Sequence, residues 1–469
     1  MAKTQQSTGS EGPAATVERT LTPSRSFDQN IQELQKLRFG GFKLLETTID
    51  GSDNLNPERR AKKSIFLNEA GRKKEREALK QRLELWKEVL SKEGATVMDM
   101  ADEVAKQQAT AEELFRTNLQ AIVGETRDYE STYRGVTLFF ENAKTSGLKI
   151  RNAVFMNAST DQLDATDVIN KTTIDHVTNE IHQVYNRFDL GESYSLMVVP
   201  GYIKNKMSVD TWAQIANDHK LMFITDYRNM DSLKDMLTEF QKEKIASDTP
   251  RNANVLMACN HLVGRGKYDD LDENEDLYVE PSTALAGKIY SNLIAQVSAG
   301  YQYGTLERVD GCRLDLLKTE VGELEGLGLI PMTKEWGKVV PFSGKTLYTG
   351  NNLGLKTYSV VRVFDWIMKV LMQFLNKRAM ENWSGKVENE IQREIIQFLD
   401  KIKGPGKIIE KFEAPQFKRD PYQKDRIYLD IHITPFFPAK TFVIGLTGED
   451  GRDPDTGRRK EFSGGVTQQ

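Results

Sequence analysis

Ser343-Gly-Lys-Thr346 has the residue types that end a phosphate-cradling loop: glycine for close backbone approach, lysine for charge, threonine for a metal ion. Such a loop needs another glycine five positions before Gly344, where Val339 stands, and Pro341 falls inside the turn. Gly264-Arg-Gly266 lacks the third glycine and the following helix signal of a dinucleotide fingerprint. The five histidines, His176, His182, His219, His261 and His432, include no pair at i, i+4 and no His-Glu-x-x-His. His176 and His182 are six apart and point to different sides of a helix. Cys259 and Cys312 have no Cys-x-x-Cys partner and read as small buried hydrophobes in a reducing compartment. No Gly-x-Ser-x-Gly elbow occurs, and Asp450, Asp453 and Asp455 depart from the calcium-loop spacing and read as a polar turn. The residues that could do chemistry are thus isolated from one another. The reading is of a protein without catalytic residues, metal or cofactor.

The elements around those residues are far more regular. The chain has 469 residues, 39% hydrophobic and 28% charged, enough for two or three domains with substantial cores. A net charge of −4 argues against a nucleic-acid binder. The start has no apolar stretch of the secretory kind, and no run reaches the roughly 18 apolar residues of a membrane span, so a cytoplasmic protein without membrane insertion is expected.

Residues 1–26 are polar and read as a disordered tail. Helices are expected in 27–125: a short one carrying Phe27, Ile31, Leu34 and Leu37, one over 69–92 with Leu79, Leu83, Trp86 and Leu90 on one face, and one opened by the capping box Thr110-Ala-Glu-Glu113. The core, 126–355, opens with an amphipathic helix over Tyr129–Phe140, a stop at Gly147 and a strand over 148–156. Helices near 161–188, 208–219 (capped by Ser208) and 231–244 then alternate with strands at 194–199, 221–225 and 254–261. Short apolar strands separated by helices of that length predict a parallel sheet covered on both faces. Helices follow at 281–297, 314–325, 357–381 and 387–402, the last broken by Gly404-Pro-Gly406, and 356–425 reads as a helical segment and hinge.

Ile427, Leu429, Ile431 and Ile433 alternate with polar residues, and Phe442, Ile444 and Leu446 do the same after Pro435-Phe-Phe-Pro438. Residues 426–447 are read as a terminal strand pair, and 448–469 as a loose tail. Two strands alone are marginal in water and present unpaired edges, so something else is expected to complete them. The expected fold is α/β: a largely parallel central sheet covered by helices, a helical N-terminal region, and a C-terminal two-stranded extension that completes an intermolecular sheet.

From about residue 85 to 447 the chain resembles the large contractile-sheath subunit of type VI secretion systems, the TssC/VipB family. Tyr133-Arg134-Gly135-Val136 matches the family's aromatic-Arg-Gly-Leu element, and Leu148–Asn157 is similar to its first core strand. Gly328-Leu-Ile-Pro-Met332 resembles the family's Gly-Phe-x-Pro-Leu, and Ile431-His-Ile-Thr-Pro435 followed by Phe442-Val-Ile-Gly-Leu446 resembles its terminal segment. Pro250-Arg-Asn-Ala-Asn-Val255 replaces a Pro-Arg-Phe-Leu segment and the Arg-Pro-His before the last strand is absent, as in a divergent branch of the Bacteroidetes type. The resemblance implies a non-enzymatic structural subunit. It would pair with a small sheath subunit (TssB/VipA-like) and wrap an inner tube of Hcp-like rings on a baseplate, in a helical polymer that contracts. It also implies inter-subunit strand pairing by Ile427–Ile433 and Phe442–Leu446, and recognition of Phe27–Leu37 by a ClpV-like ring ATPase. The alternatives are a phage-tail or extracellular injection sheath, which needs no small partner, and an α/β enzyme with a carboxylate site at the ends of the parallel strands.

Overall fold

The computed structural model describes residues 71, 73–144, 150, 153–440, 442–452 and 459–468. Phe27, Ile31, Leu34, Leu37 and the N-terminal tail lie outside them. The chain divides into two compact units, Met1–Ile122 and Val123–Gln469.

In the first unit, helix α1 (Lys73–Leu90) packs Val89 and Leu90 against Met100, with Ala95 and Val104 alongside. Helix α2 runs without interruption over Val97–Ala143. Its start is set by Thr96, whose hydroxyl accepts from the Asp99 amide (3.2 Å) while the Asp99 carboxylate accepts from the Thr96 amide (2.9 Å). This reciprocal pair is a capping box with aspartate in place of glutamate. The box read at Thr110 does not form: Thr110 lies mid-helix and its hydroxyl donates to the Lys106 carbonyl. A capping sequence inside a long helix leaves its hydroxyl a carbonyl four residues back.

The second unit is built on a five-stranded sheet of order β1-β2-β3-β7-β8. Its strands are β1 (Leu196–Val199), β2 (Met222–Asp226), β3 (Val255–Cys259), β7 (Leu329–Glu335) and β8 (Lys338–Pro341). The first four are parallel and β8 is antiparallel to β7. Between β3 and β7, β4 (Leu262–Arg265), β5 (Leu277–Val279) and β6 (Gly311–Cys312) form a three-stranded sheet in the order β5-β4-β6. The largely parallel α/β reading of the sequence holds. Every residue of β2 and β3 is buried, as expected for parallel strands covered on both faces.

One face carries Phe223, Val255, Met257 and Cys259 toward helices α3 (Lys171–Tyr185), α4 (Lys206–Asp218) and α5 (Leu233–Glu243), with Trp212, Met236 and Phe240 as their inward residues. Full burial of each large apolar side chain there stabilises the fold by roughly 1.5–3 kcal/mol. Asn205, not Ser208, caps α4; the Ser208 hydroxyl instead donates to Asp164 at 2.7 Å. The other face carries Met222, Ile224, Leu256 and Ala258 toward helix α6 (Pro281–Ser291) and, from α2, Leu138. Helix α7 (Lys318–Gly326) leads into β7.

A third cluster joins helix α8 (Tyr358–Arg378) to helix α9 (Gly385–Ile402) through Val363, Ile367, Ile391, Ile395 and Leu399. The Lys369 ammonium of α8 donates to the Tyr194 carbonyl just before β1 (2.8 Å), and its burial pushes its pKa down to about 8. Strands β9 (Ile409–Phe412), β10 (Gln416–Arg419), β11 (Ile427–Asp430) and β12 (Ile433–Pro435) follow, pairing β9 with β12 and β10 with β11. The chain's last ladder is an antiparallel hairpin of β13 (Phe442–Arg452) and β14 (Arg459–Gln468).

This differs from the strand pair read over 426–447. The two alternating runs do not pair with each other, and the polar stretch after 448 supplies β14. Alternation fixes which face a strand buries and says nothing about its partner. The strand read over 148–156 is also absent from its described part: residues 153–156 belong to no strand or helix.

Candidate assembly surfaces

Tyr133, Arg134 and Gly135 lie in the last turns of α2 and divide their roles. Gly135 is buried, and a Cβ there would stand 3.5 Å from Thr283 Cγ2 of α6. Arg134 donates to Glu130 Oε1 (2.8 Å) and to the Gly264 carbonyl of β4 (3.0 Å). Gly264 is tightly held, since a Cβ would meet Val279 Cγ2 at 2.6 Å. Arg265 then grips two carboxylates, Glu130 through Nε (3.0 Å) and Glu273 through both terminal nitrogens (2.5 and 3.0 Å). Arg127 donates to the same Glu273 at 2.7 Å. Hydrogen bonds from Arg265 hold the Glu273 carboxyl down to about 2 against the opposing effect of burial. For Glu130, burial works against ionisation, but Arg265 and Arg134 outweigh it and the pKa is lowered. The Arg-Gly part of the motif therefore welds α2 to the β4–β5 sheet.

Tyr133 faces the other way. It is 72% exposed, and Tyr129, Val136 and Phe140 are exposed with it. Their spacing of four, three and four residues sets them in one stripe on the helix. Phe155 stands 6.0 Å from Phe140 between ring centroids, and Val154 and Met156 beside it are exposed too. An apolar stripe extended by a second apolar segment is the kind of surface that marks a protein contact.

The predicted C-terminal residues fall in two groups. Leu429, Ile431 and Ile433 pack against the α8–α9 cluster, Leu429 standing opposite Phe417 and Ile433 opposite Phe412, while Ile427 stands opposite Arg419. Phe442, Ile444 and Leu446 stand opposite Gln468, Val466 and Gly464 in the terminal hairpin, with Phe442 and Ile444 exposed. Among the described residues, β13 and β14 pair only with each other.

The motifs weighed for catalysis are placed differently. Thr346 is buried and donates to the Leu355 carbonyl, while a Cβ on Gly344 would meet Val297 at 2.9 Å, so this loop is packed core with no room for a phosphate. Asp226, at the C-terminal end of β2, is wholly buried and accepts from the Ser282 amide (2.7 Å), the Ser282 hydroxyl (2.5 Å) and the Gly201 amide (2.9 Å). Burial raises its pKa to about 7. It closes the first turn of α6 and is enclosed by protein, which leaves no approach for a substrate. His182 and His219 meet at 3.3 Å across α3 and the end of α4, a pairing the sequence spacing did not reveal. Among the described residues no group of three or more ligating side chains could hold a metal ion. No described helix is long and apolar enough to cross a membrane.

Residues 121–349 match the family described as type VI secretion system TssC/VipB, central domain. Residues 357–462 match the TssC/VipB-like C-terminal domain, and 27–119 the TssC/VipB-like N-terminal region. No curated protein matches the chain in sequence. Among solved structures, the contracted helical sheath of the anti-feeding prophage is 14% identical over 66% of this chain and 80% of its own, with a TM-score of 0.45. The contracted PVC sheath of an extracellular contractile injection system is 13% identical, covering 63% of this chain and 86% of its own at a TM-score of 0.43. A sheath tail protein from Desulfitobacterium hafniense is 11% identical, covering 69% and 68% at a TM-score of 0.39.

Proposed function

Because the chain belongs to the TssC/VipB family of type VI secretion sheath subunits, and is thereby a contractile sheath subunit, we propose that its terminal hairpin β13–β14 is the strand pair that links subunits in the polymer. The observation that carries this reading is the hairpin itself: long strands, exposed Phe442 and Ile444, and no third strand among the described residues. A neighbour's strand added to an edge would satisfy a row of backbone donors and acceptors at once. The role first given to Ile427–Ile433 passes to β13 and β14, because Leu429, Ile431 and Ile433 are engaged with the chain's own core.

The partner of the exposed stripe Tyr129, Tyr133, Val136, Phe140 and Phe155 is, in this reading, the small sheath subunit. Aromatic side chains clustered on a rigid helix are the usual anchors of such an interface. The heterodimers wrap an inner tube, stand on a baseplate and act in the bacterial cytoplasm. Contraction is a change between two packings of rigid subunits joined through shared strands. The segment carrying Phe27, Ile31, Leu34 and Leu37 is the part offered to a disassembling ring ATPase. The departures at Pro250–Val255 fit a divergent branch of the family.

Co-expression of the chain with the small subunit encoded beside it, followed by electron microscopy, tests the reading. Helical tubes that require both proteins support it. Tubes from this chain alone would instead favour the phage-tail or extracellular injection type.

A further inference from the structure

An ion pair ties the root of the terminal hairpin to the α/β core. Lys440 stands two residues before β13, and its Nζ is 2.6 Å from Glu325 Oε2 in the last turn of α7. The pair is asymmetric: the Glu325 side chain is 8% exposed and that of Lys440 59%. A carboxylate buried at the C-terminal end of a helix opposes the helix dipole and needs a cation.

We propose that Glu325 and Lys440 form an ionic latch that parks the hairpin arm on its own subunit. When the exposed lysine departs with the arm, the buried carboxylate is left without its cation, so the pair biases the arm toward the parked state over an extended one. Its use in assembly rests on the reading of β13–β14 as the inter-subunit strand pair; the latch itself does not.

Amide hydrogen exchange on the full, unassembled chain tests the latch separately from polymerisation. Lys440→Ala is expected to raise exchange in peptides spanning 434–446 threefold or more, with the core peptides unchanged, and Lys440→Arg to keep the wild-type rate. A smaller rise in Lys440→Ala, or the same rise in Lys440→Arg, overturns the latch. A working latch in a chain whose hairpin deletion still forms full-length tubes would leave the latch standing and remove the assembly reading.

Discussion

Gly287 of α6 lies against the Phe139 carbonyl of α2 so closely that a Cβ at position 287 would stand 2.3 Å from that oxygen. The two helices touch through backbone at this point, with Asn142 and Ala143 of α2 also in reach. Gly287→Ala is therefore expected to force the helices apart and cost about 2 kcal/mol or more, although alanine is the better helix former. Gly135→Ala, where the nearest atom is an ordinary 3.5 Å away, is expected to be neutral or slightly stabilising. Denaturant midpoints of the two variants check the pair, and equal effects would contradict the backbone contact.

Arg265 is expected to be the costliest charge to remove from the α2–β4 weld. Its side chain is 9% exposed and serves Glu130 and Glu273 together, so Arg265→Met leaves two carboxylates short of a partner and should cost about 3 kcal/mol. Glu273 has a folded pKa near 2, below its unfolded value of 4.5, so its contribution is complete above about pH 5 and is lost as pH falls toward 2. Urea titrations at several pH values should show that acid loss in the wild type and a shallower one in Arg265→Met.

Asp226 should give the opposite slope. Its folded pKa of about 7 lies above the unfolded value of 3.8, so the folded state holds the extra proton between them. Stability from this group is present at about pH 4, declines as pH rises to 7 and is flat beyond. Asp226→Asn, which does not titrate, should remove that decline, and an unchanged slope in its denaturation profile would contradict the assignment.

How much of this was legible in the sequence depended on whether the deciding contact was local. Strands β2 and β3 announce themselves as short runs without a charged residue until Asp226, and the helices between them carry clear apolar faces. Partner choice was not legible. Ile427–Ile433 alternates cleanly, yet β11 pairs with β10 and β12 with β9, because the Gly404-Pro-Gly406 break returns the chain beside α9. The continuity of α2 was obscured by the capping-box sequence Thr110–Glu113, which lies mid-helix and goes unused, while the helix is capped at Thr96–Asp99. In the Tyr133-Arg134-Gly135 motif the spacing alone did not say that arginine and glycine face inward while tyrosine faces out. Asp226 and the His182–His219 pair join residues from separate elements and leave no sequence signal at all.

The exposed stripe on α2 should matter for partnership more than for folding. Tyr133→Ser is expected to change stability by about 0.5 kcal/mol or less, since Tyr133 is exposed, and Phe140→Ser by about 1 kcal/mol, since its ring also meets Phe139 and Phe155. The double variant is expected to lose recovery with the small subunit by tenfold or more, as for central aromatic anchors. Co-purification at matched expression reads this directly, and undiminished recovery would assign the stripe another role.

The central claim, that β13–β14 joins one subunit to another, is tested most directly by removing residues 442–469 and imaging the material co-expressed with the small subunit. A soluble heterodimer that forms no long tubes, beside full-length chains that do, is the predicted result. Tubes of normal length from the truncated chain would contradict it.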